Sequence, residues 1–249
     1  MERLDKNTIT VMGHLVLGYP TLAESIRTAE KYVEGGVAIL ELQIPFSHPT
    51  ADGPVITAAC QEAVERQHVS LSDCLGALQT IRNKYPQQEI MVMSYVNRVY
   101  AYGLKKFTEA MENLQIHHLI IPDLPVDDPH SSLIIHHSSL KLVPVLAANV
   151  SDTRLEKLLA MGFDFFYLMS DFKITGSTFS LHPRLQRVIE RIKQHSPDIR
   201  IGIGFGISTP EQARSVADAA DVAIIGSALI QAQQKGVLEK YLQEMIEIN

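Results

Sequence analysis

Short apolar runs alternate with amphipathic stretches from one end of this chain to the other, and that alternation limits the folds it can reach. The runs are 9–18, 37–45, 90–96, 118–124, 142–147, 163–169, 200–204 and 221–225. Between them helical faces recur: Leu22, Ile26, Ala29 and Val33 share one side of a helix, as do Leu185, Val188, Ile189 and Ile192, and later Leu238, Tyr241, Leu242 and Met245. Strands separated by helices pair in parallel, because a parallel crossover needs about a dozen residues. Eight such units favour a closed (β/α)8 barrel, the TIM-barrel architecture, with an open doubly wound sheet as the structural alternative. The 249 residues, 46% of them hydrophobic, suffice for one large core. No Ser/Gly-rich linker breaks the pattern, so residues 1–249 read as a single α/β domain.

The second run carries the most informative residues. Ala38, Leu40, Leu42 and Ile44 share one parity and are wholly apolar, whereas Val37, Ile39, Glu41 and Gln43 share the other and turn polar toward the carboxyl end. Side chains alternate faces along a strand, so Glu41 and Gln43 look the same way. A second acid, Asp52, follows in the loop Ile44-Pro45-Phe46-Ser47-His48-Pro49-Thr50-Ala51-Asp52-Gly53-Pro54. Barrel enzymes place their sites at the carboxyl ends of strands, and two acids there suit acid/base chemistry. Structural ion pairs also bury carboxylates, and parity alone leaves both readings open.

Two glycine clusters close the chain. Gly202-Ile203-Gly204-Phe205-Gly206-Ile207-Ser208 and Ile224-Ile225-Gly226-Ser227-Ala228 each end an apolar run and lead into a helix. Loops after the last two strands of a barrel, beside a helix amino terminus, recurrently bind phosphate; glycine also serves tight turns. Thr175-Gly176-Ser177 supplies a further turn, and the segment 171–181 is long enough to act as a lid or to be a plain surface loop.

Charge and composition exclude other classes. A net charge of -6, with no Lys/Arg cluster, argues against nucleic acid as a partner. No apolar run reaches transmembrane length and the opening residues 1–7 are polar, so a cytoplasmic protein without a membrane partner is the expectation. Cys60 and Cys74 read as small apolar residues in a reducing compartment. The pairs His117-His118 and His136-His137 lack metal-site spacing, and no metal is expected.

In order along the chain, Gly18-Tyr19-Pro20, the strand and loop from Leu40 to Pro54, Ser94-Tyr95-Val96-Asn97, Pro122-Asp123-Leu124-Pro125, Thr175-Gly176, Gly204-Phe205-Gly206-Ile207-Ser208 and Gly226-Ser227-Ala228 resemble the tryptophan synthase α-subunit family. The resemblance implies retro-aldol cleavage of indole-3-glycerol phosphate to indole and glyceraldehyde 3-phosphate, with no cofactor in this subunit. It implies a β-subunit partner that carries pyridoxal phosphate and receives indole in an α2β2 assembly. It assigns catalysis to Glu41, as proton carrier, and to Asp52, which should stay ionised and accept from the indole N–H. Thr175 would hydrogen-bond the aspartate from the lid; Tyr167, Met93 and Ile120 would line the indole pocket. The backbone at Gly176, Gly206, Gly226 and Ser227 would hold the phosphate.

Several positions depart from the family pattern. Gln43 stands in place of a glycine and is expected to crowd the substrate. His48 replaces an acidic loop residue that helps couple the subunits, and His14 replaces a phenylalanine of the pocket. Asp171 and Lys173 replace an arginine and a glycine of the lid, and the segment before the first strand is shorter than usual. These departures motivate a second reading, an attenuated α-subunit acting mainly as allosteric activator of the β-subunit. A third is another phosphate-binding barrel isomerase or synthase.

Overall fold

The computed structural model describes residues 10–131, 139–169, 181–204, 206–217 and 219–246. Thr175, Gly176, Asp171 and Lys173, with Phe205 and the His136-His137 pair, lie outside the described residues. Strands β1 (Thr10–Val16), β2 (Ile39–Gln43), β3 (Glu89–Met93) and β4 (His118–Ile120) are followed by two short segments, β5 (Lys141–Leu142) and β6 (Val145–Ala147). Then come β7 (Phe165–Met169), β8 (Arg200–Gly204) and β9 (Val222–Ile225). All pair in parallel in the order β5-β4-β3-β2-β1-β9-β8-β7-β6.

The two ends of that order belong to one strand of the (β/α)8 barrel. Only Val143 and Pro144 separate β5 from β6; Val143 N donates to Leu119 O at 2.9 Å and Pro144 O accepts from Tyr167 N at 2.9 Å. The run 142–147 therefore differs from the single uninterrupted strand its composition suggests. Proline has no N–H for the ladder, and the strand changes partners at Pro144, hydrogen-bonding β4 before it and β7 after it.

Helices cover the outside. The first, α1 (Leu22–Glu34), is capped by Thr21, whose hydroxyl accepts from Glu24 N at 3.2 Å, and buries Ser25, Thr28, Ala29 and Tyr32. Of the stripe read from sequence, Ala29 is buried and Leu22, Ile26 and Val33 pack partly buried against the same core, while Tyr32 fills the space Gly13 leaves on β1, where a Cβ would lie 2.9 Å from its ring. The helix Pro183–His195 buries Leu185, Val188, Ile189 and Ile192 as its sequence periodicity predicts.

Inside the barrel, Met12, Ile39, Met91, Phe165 and Val222 pack into one apolar plug. Below it Arg200 donates twice to Glu89, at 2.9 and 2.7 Å. The interior is filled from its amino end, which leaves the carboxyl ends of the strands to form a cavity. No helix among the described residues is long and apolar enough to cross a membrane.

Candidate active site

Above the plug the barrel interior turns polar. Parallel register sets His14 of β1 beside Glu41 of β2, and both point inward with 3% and 1% of their surfaces exposed. His14 Nδ1 stands 3.4 Å from Glu41 Oε2. That contact is an electrostatic one; Glu41 Oε2 and, on the other side of the ring, His14 Nε2 lack a hydrogen-bond partner among the described residues. Burial works against a charged imidazole at His14, but the Glu41 carboxylate, with smaller help from Asp52 and Gln43, outweighs it and holds the pKa above the ordinary 6.5.

Gln43, two residues beyond Glu41 on the same face, is fully buried. It does not line the cavity, contrary to the crowding expected of it: its Nε2 turns to Asp52 and donates to Oδ2 at 2.7 Å. Tyr95, just after β3, donates to the same oxygen at 2.8 Å and accepts from Ala51 N at 3.1 Å. The Phe46 ring stacks on Tyr95 with centroids 5.2 Å apart, so the loop is pinned at both ends of the tyrosine. Oδ1 of Asp52 accepts from neither donor. Burial pushes the Asp52 carboxyl above its usual range, opposed by His14, Gln43 and Tyr95 and assisted by Glu41, where full ionisation is the expectation from sequence.

At the end of β9, which flanks β1 on the side away from β2, Gly226 precedes the helix Ser227–Gln234, and its carbonyl accepts from Leu229 N at 2.9 Å. The amides of Ser227 and Ala228, ahead of that first bond, have no carbonyl within the helix to bind, which makes this terminus suited to an anion. Gly206 has φ +88, the left-handed region that glycine enters without strain. Gly204 is needed for a different reason: a Cβ there would lie 2.6 Å from the Tyr167 hydroxyl, so only glycine lets Tyr167 lie across β8. Burial, and secondarily the charges of Glu41 and Asp52, raise the Tyr167 pKa well above its ordinary value, keeping the phenol neutral.

These elements enclose one cavity of about 240 Å³. Glu41, Asp52, Met93, Ile120, Tyr167, Gly206, Gly226 and Ser227 all line it, so the described members of the set singled out in the sequence meet in space. Two partners escaped sequence reasoning. Tyr95 lay in a noted motif without a role, and the proximity of His14 to Glu41 required the register of β1 on β2. His48, by contrast, is exposed, with Nδ1 2.8 Å from Ser47 Oγ. Cys60 and Cys74 are buried, which pushes each thiol up to about 12.

A parallel barrel whose mouth combines two carboxylates with a glycine-led helix terminus defines a class, the (β/α)8 barrels with a polar cavity at the carboxyl ends of their strands. Comparison with known proteins narrows it. Residues 2–248 match the family described as tryptophan synthase alpha chain, and the chain belongs to that family. It is 34% identical to the tryptophan synthase alpha chain of Methanosarcina acetivorans, covering 94% of this chain and 85% of that one. Against the alpha chain of Dehalococcoides mccartyi the identity is 32%, over 90% of this chain and 88% of the other. It is also 30% identical to the tryptophan synthase of Saccharomyces cerevisiae over 97% of its own length, but spans only 35% of the yeast protein. A Mycobacterium tuberculosis tryptophan synthase structure superposes with a TM-score of 0.86 at 29% identity, covering 98% of this chain and 93% of that one.

Proposed function

We propose that this protein catalyses the α reaction of tryptophan synthase, cleaving indole-3-glycerol phosphate to indole and glyceraldehyde 3-phosphate and handing indole to a β subunit. The observation that carries the reading is the convergence of Glu41, Asp52 and the Gly226–Ser227 helix terminus on one cavity. The reaction moves one proton. Carbon C3 of the ring is protonated, the hydroxyl on the attached carbon loses its proton, and the bond between them breaks with its electron pair returning to the ring.

Glu41 is the group assigned to both transfers, being buried and without a hydrogen-bond donor on Oε2. Asp52 Oδ1, which neither Gln43 nor Tyr95 occupies, accepts from the indole N–H and stabilises the cation that forms when C3 is protonated. Met93, Ile120 and Tyr167 give the ring an apolar wall, while the amides near Gly206, Gly226 and Ser227 bind phosphate. Thr175 keeps the hydrogen bond to Asp52 from the lid, and Gly176 the backbone contact to phosphate, that the family pattern gives them. Pyridoxal phosphate belongs to the β subunit in this reading, the assembly is α2β2, and the cytoplasm is the compartment.

One observation favours an attenuated enzyme that mainly activates its partner: Asp52 Oδ2 already holds two donors from the protein. Indole release from indole-3-glycerol phosphate, measured with and without a β subunit, separates the readings. Turnover that Glu41→Gln lowers about 10²- to 10⁴-fold supports the lyase. No turnover, but faster β-subunit synthesis of tryptophan from indole and serine, supports the activator.

A further inference from the structure

His14 is a buried titratable group in the cavity wall that the reaction above leaves unused. It is buried, it lines the cavity, and its Nε2 has no partner among the described residues, whereas Nδ1 faces Glu41 Oε2 at 3.4 Å. Its backbone is held from outside the barrel, where the Tyr32 hydroxyl donates to His14 O at 3.2 Å. The titratable groups that bear on the ring electrostatically are Glu41 on β2 and Asp52 in the following loop, with the neutral Gln43 amide beside them. Tyr167 on β7 shares the cavity as a neutral phenol. A buried imidazole whose Nε2 meets no protein group among the described residues and which lines the cavity is placed to donate to a ligand atom there.

We propose that His14 is a further catalytic residue, storing on Nδ1 the proton that Glu41 delivers and holding the substrate hydroxyl oxygen through Nε2–H. The proposal rests on the lyase reading. Between turnovers the pair is imidazolium and carboxylate. The Nδ1–H bond breaks as the Glu41 Oε2–H bond forms, leaving neutral His14 with its proton on Nε2. Glu41 then gives the proton to ring carbon C3 and, once ionised, takes the hydroxyl proton as the carbon–carbon bond breaks and the aldehyde forms. Returning that proton to Nδ1 restores the starting pair, so no proton is gained or lost. Throughout, Nε2–H stays bonded to the oxygen that becomes the aldehyde oxygen, which needs the 3.4 Å contact to shorten in the substrate complex.

The test combines His14→Phe, His14→Gln and Glu41→Gln, each assembled with the β subunit. Expected are a fall in kcat of about tenfold or more for His14→Phe at alkaline pH, a smaller fall at acidic pH where solvent can reprotonate Glu41, and a KM partly restored in His14→Gln. NMR titration of the imidazole should show the His14 pKa falling when Glu41 becomes Gln. A His14→Phe enzyme with unchanged kcat and pH profile, or a His14 titration indifferent to Glu41→Gln, overturns the proposal. If the unaltered complex releases no indole at any pH, the lyase reading fails and the catalytic role falls with it; a His14 titration that still responds to Glu41→Gln marks that as the cause.

Discussion

Gln43 Nε2 lies 2.7 Å from Asp52 Oδ2, so the strand that carries one acid of the site also holds the other. The loop bearing Asp52 leaves β2 at Gln43 and comes back to it nine residues later. Its closing contact is thus a hydrogen bond to a charged acceptor in a buried setting, a kind worth about 1.5–3 kcal/mol.

Replacing Gln43 by the glycine of the family pattern should release that loop. Gln43→Gly loses the hydrogen bond and adds a flexible residue to a strand interior, together about 2–4 kcal/mol of stability. Thermal or urea unfolding would read it. Because the amide lowers the Asp52 pKa, its removal should also raise that pKa further; a variant with unchanged unfolding and unchanged titration would show the contact to be idle.

Tyr95→Phe isolates the second donor. Asp52 keeps Gln43, Ala51 N loses its acceptor, and the Phe46 stack remains, so the cost should be about 1–2 kcal/mol, with the Asp52 pKa again rising. Indole production should drop severalfold through kcat, which steady-state kinetics would detect.

Asp52→Asn should trade function for stability. Burial holds the folded-state pKa of Asp52 above its unfolded value, so its contribution is favourable while protonated and is lost as pH rises through the folded pKa. Asparagine keeps an oxygen for Gln43 and Tyr95 without the charge. The variant should therefore unfold no more easily than the parent at neutral pH and show a flatter stability profile above the carboxylate range, while the α reaction falls about 10²-fold or more. Unfolding midpoints across pH would decide it.

Ser227→Asp tests the anion site. A carboxylate at the first position of the helix Ser227–Gln234 suits the helix itself, so the fold should hold. It should repel a phosphate, and the stabilisation that glycerol 3-phosphate gives the parent in a thermal melt should vanish. Equal stabilisation of both proteins would move the phosphate elsewhere.

Gly204→Ala should be disruptive out of proportion to one methyl group. The added Cβ would meet the Tyr167 hydroxyl at 2.6 Å, forcing that ring from its place in the cavity wall. About 1–3 kcal/mol of stability is at stake. Raised KM accompanying the lowered melting temperature would tie the ring to ligand binding.

Alternating strand and helix patterns made the barrel legible, because hydrophobic period is a local property of the chain. The parity of Glu41 and Gln43 was legible for the same reason. Pro144 hides in a run that is otherwise apolar, and only pairing to β4 on one side and β7 on the other shows the strand to be broken. The loop's hydrogen bonds to Gln43 and Tyr95 span 9 and 43 residues, distances over which no pattern in the sequence fixes the path of the chain. The His14–Glu41 approach depends on register between two strands, which a sequence specifies only through packing.

The change of partners at Pro144 falls within the cavity wall. His14 and Glu41 stand on β1 and β2, which run in unbroken register with β3. Ile120 and Tyr167 flank the seam, with Val145 just beyond the break. In the proposed reading the His14–Glu41 pair thus stands on evenly paired strands, whereas Ile120 and Tyr167 of the ring wall stand beside the break. Hydrogen exchange should find the amides around 143–147 opening before those of β1 and β2, and substitutions that widen the pocket for a bulkier ring should be tolerated there without disturbing the acids.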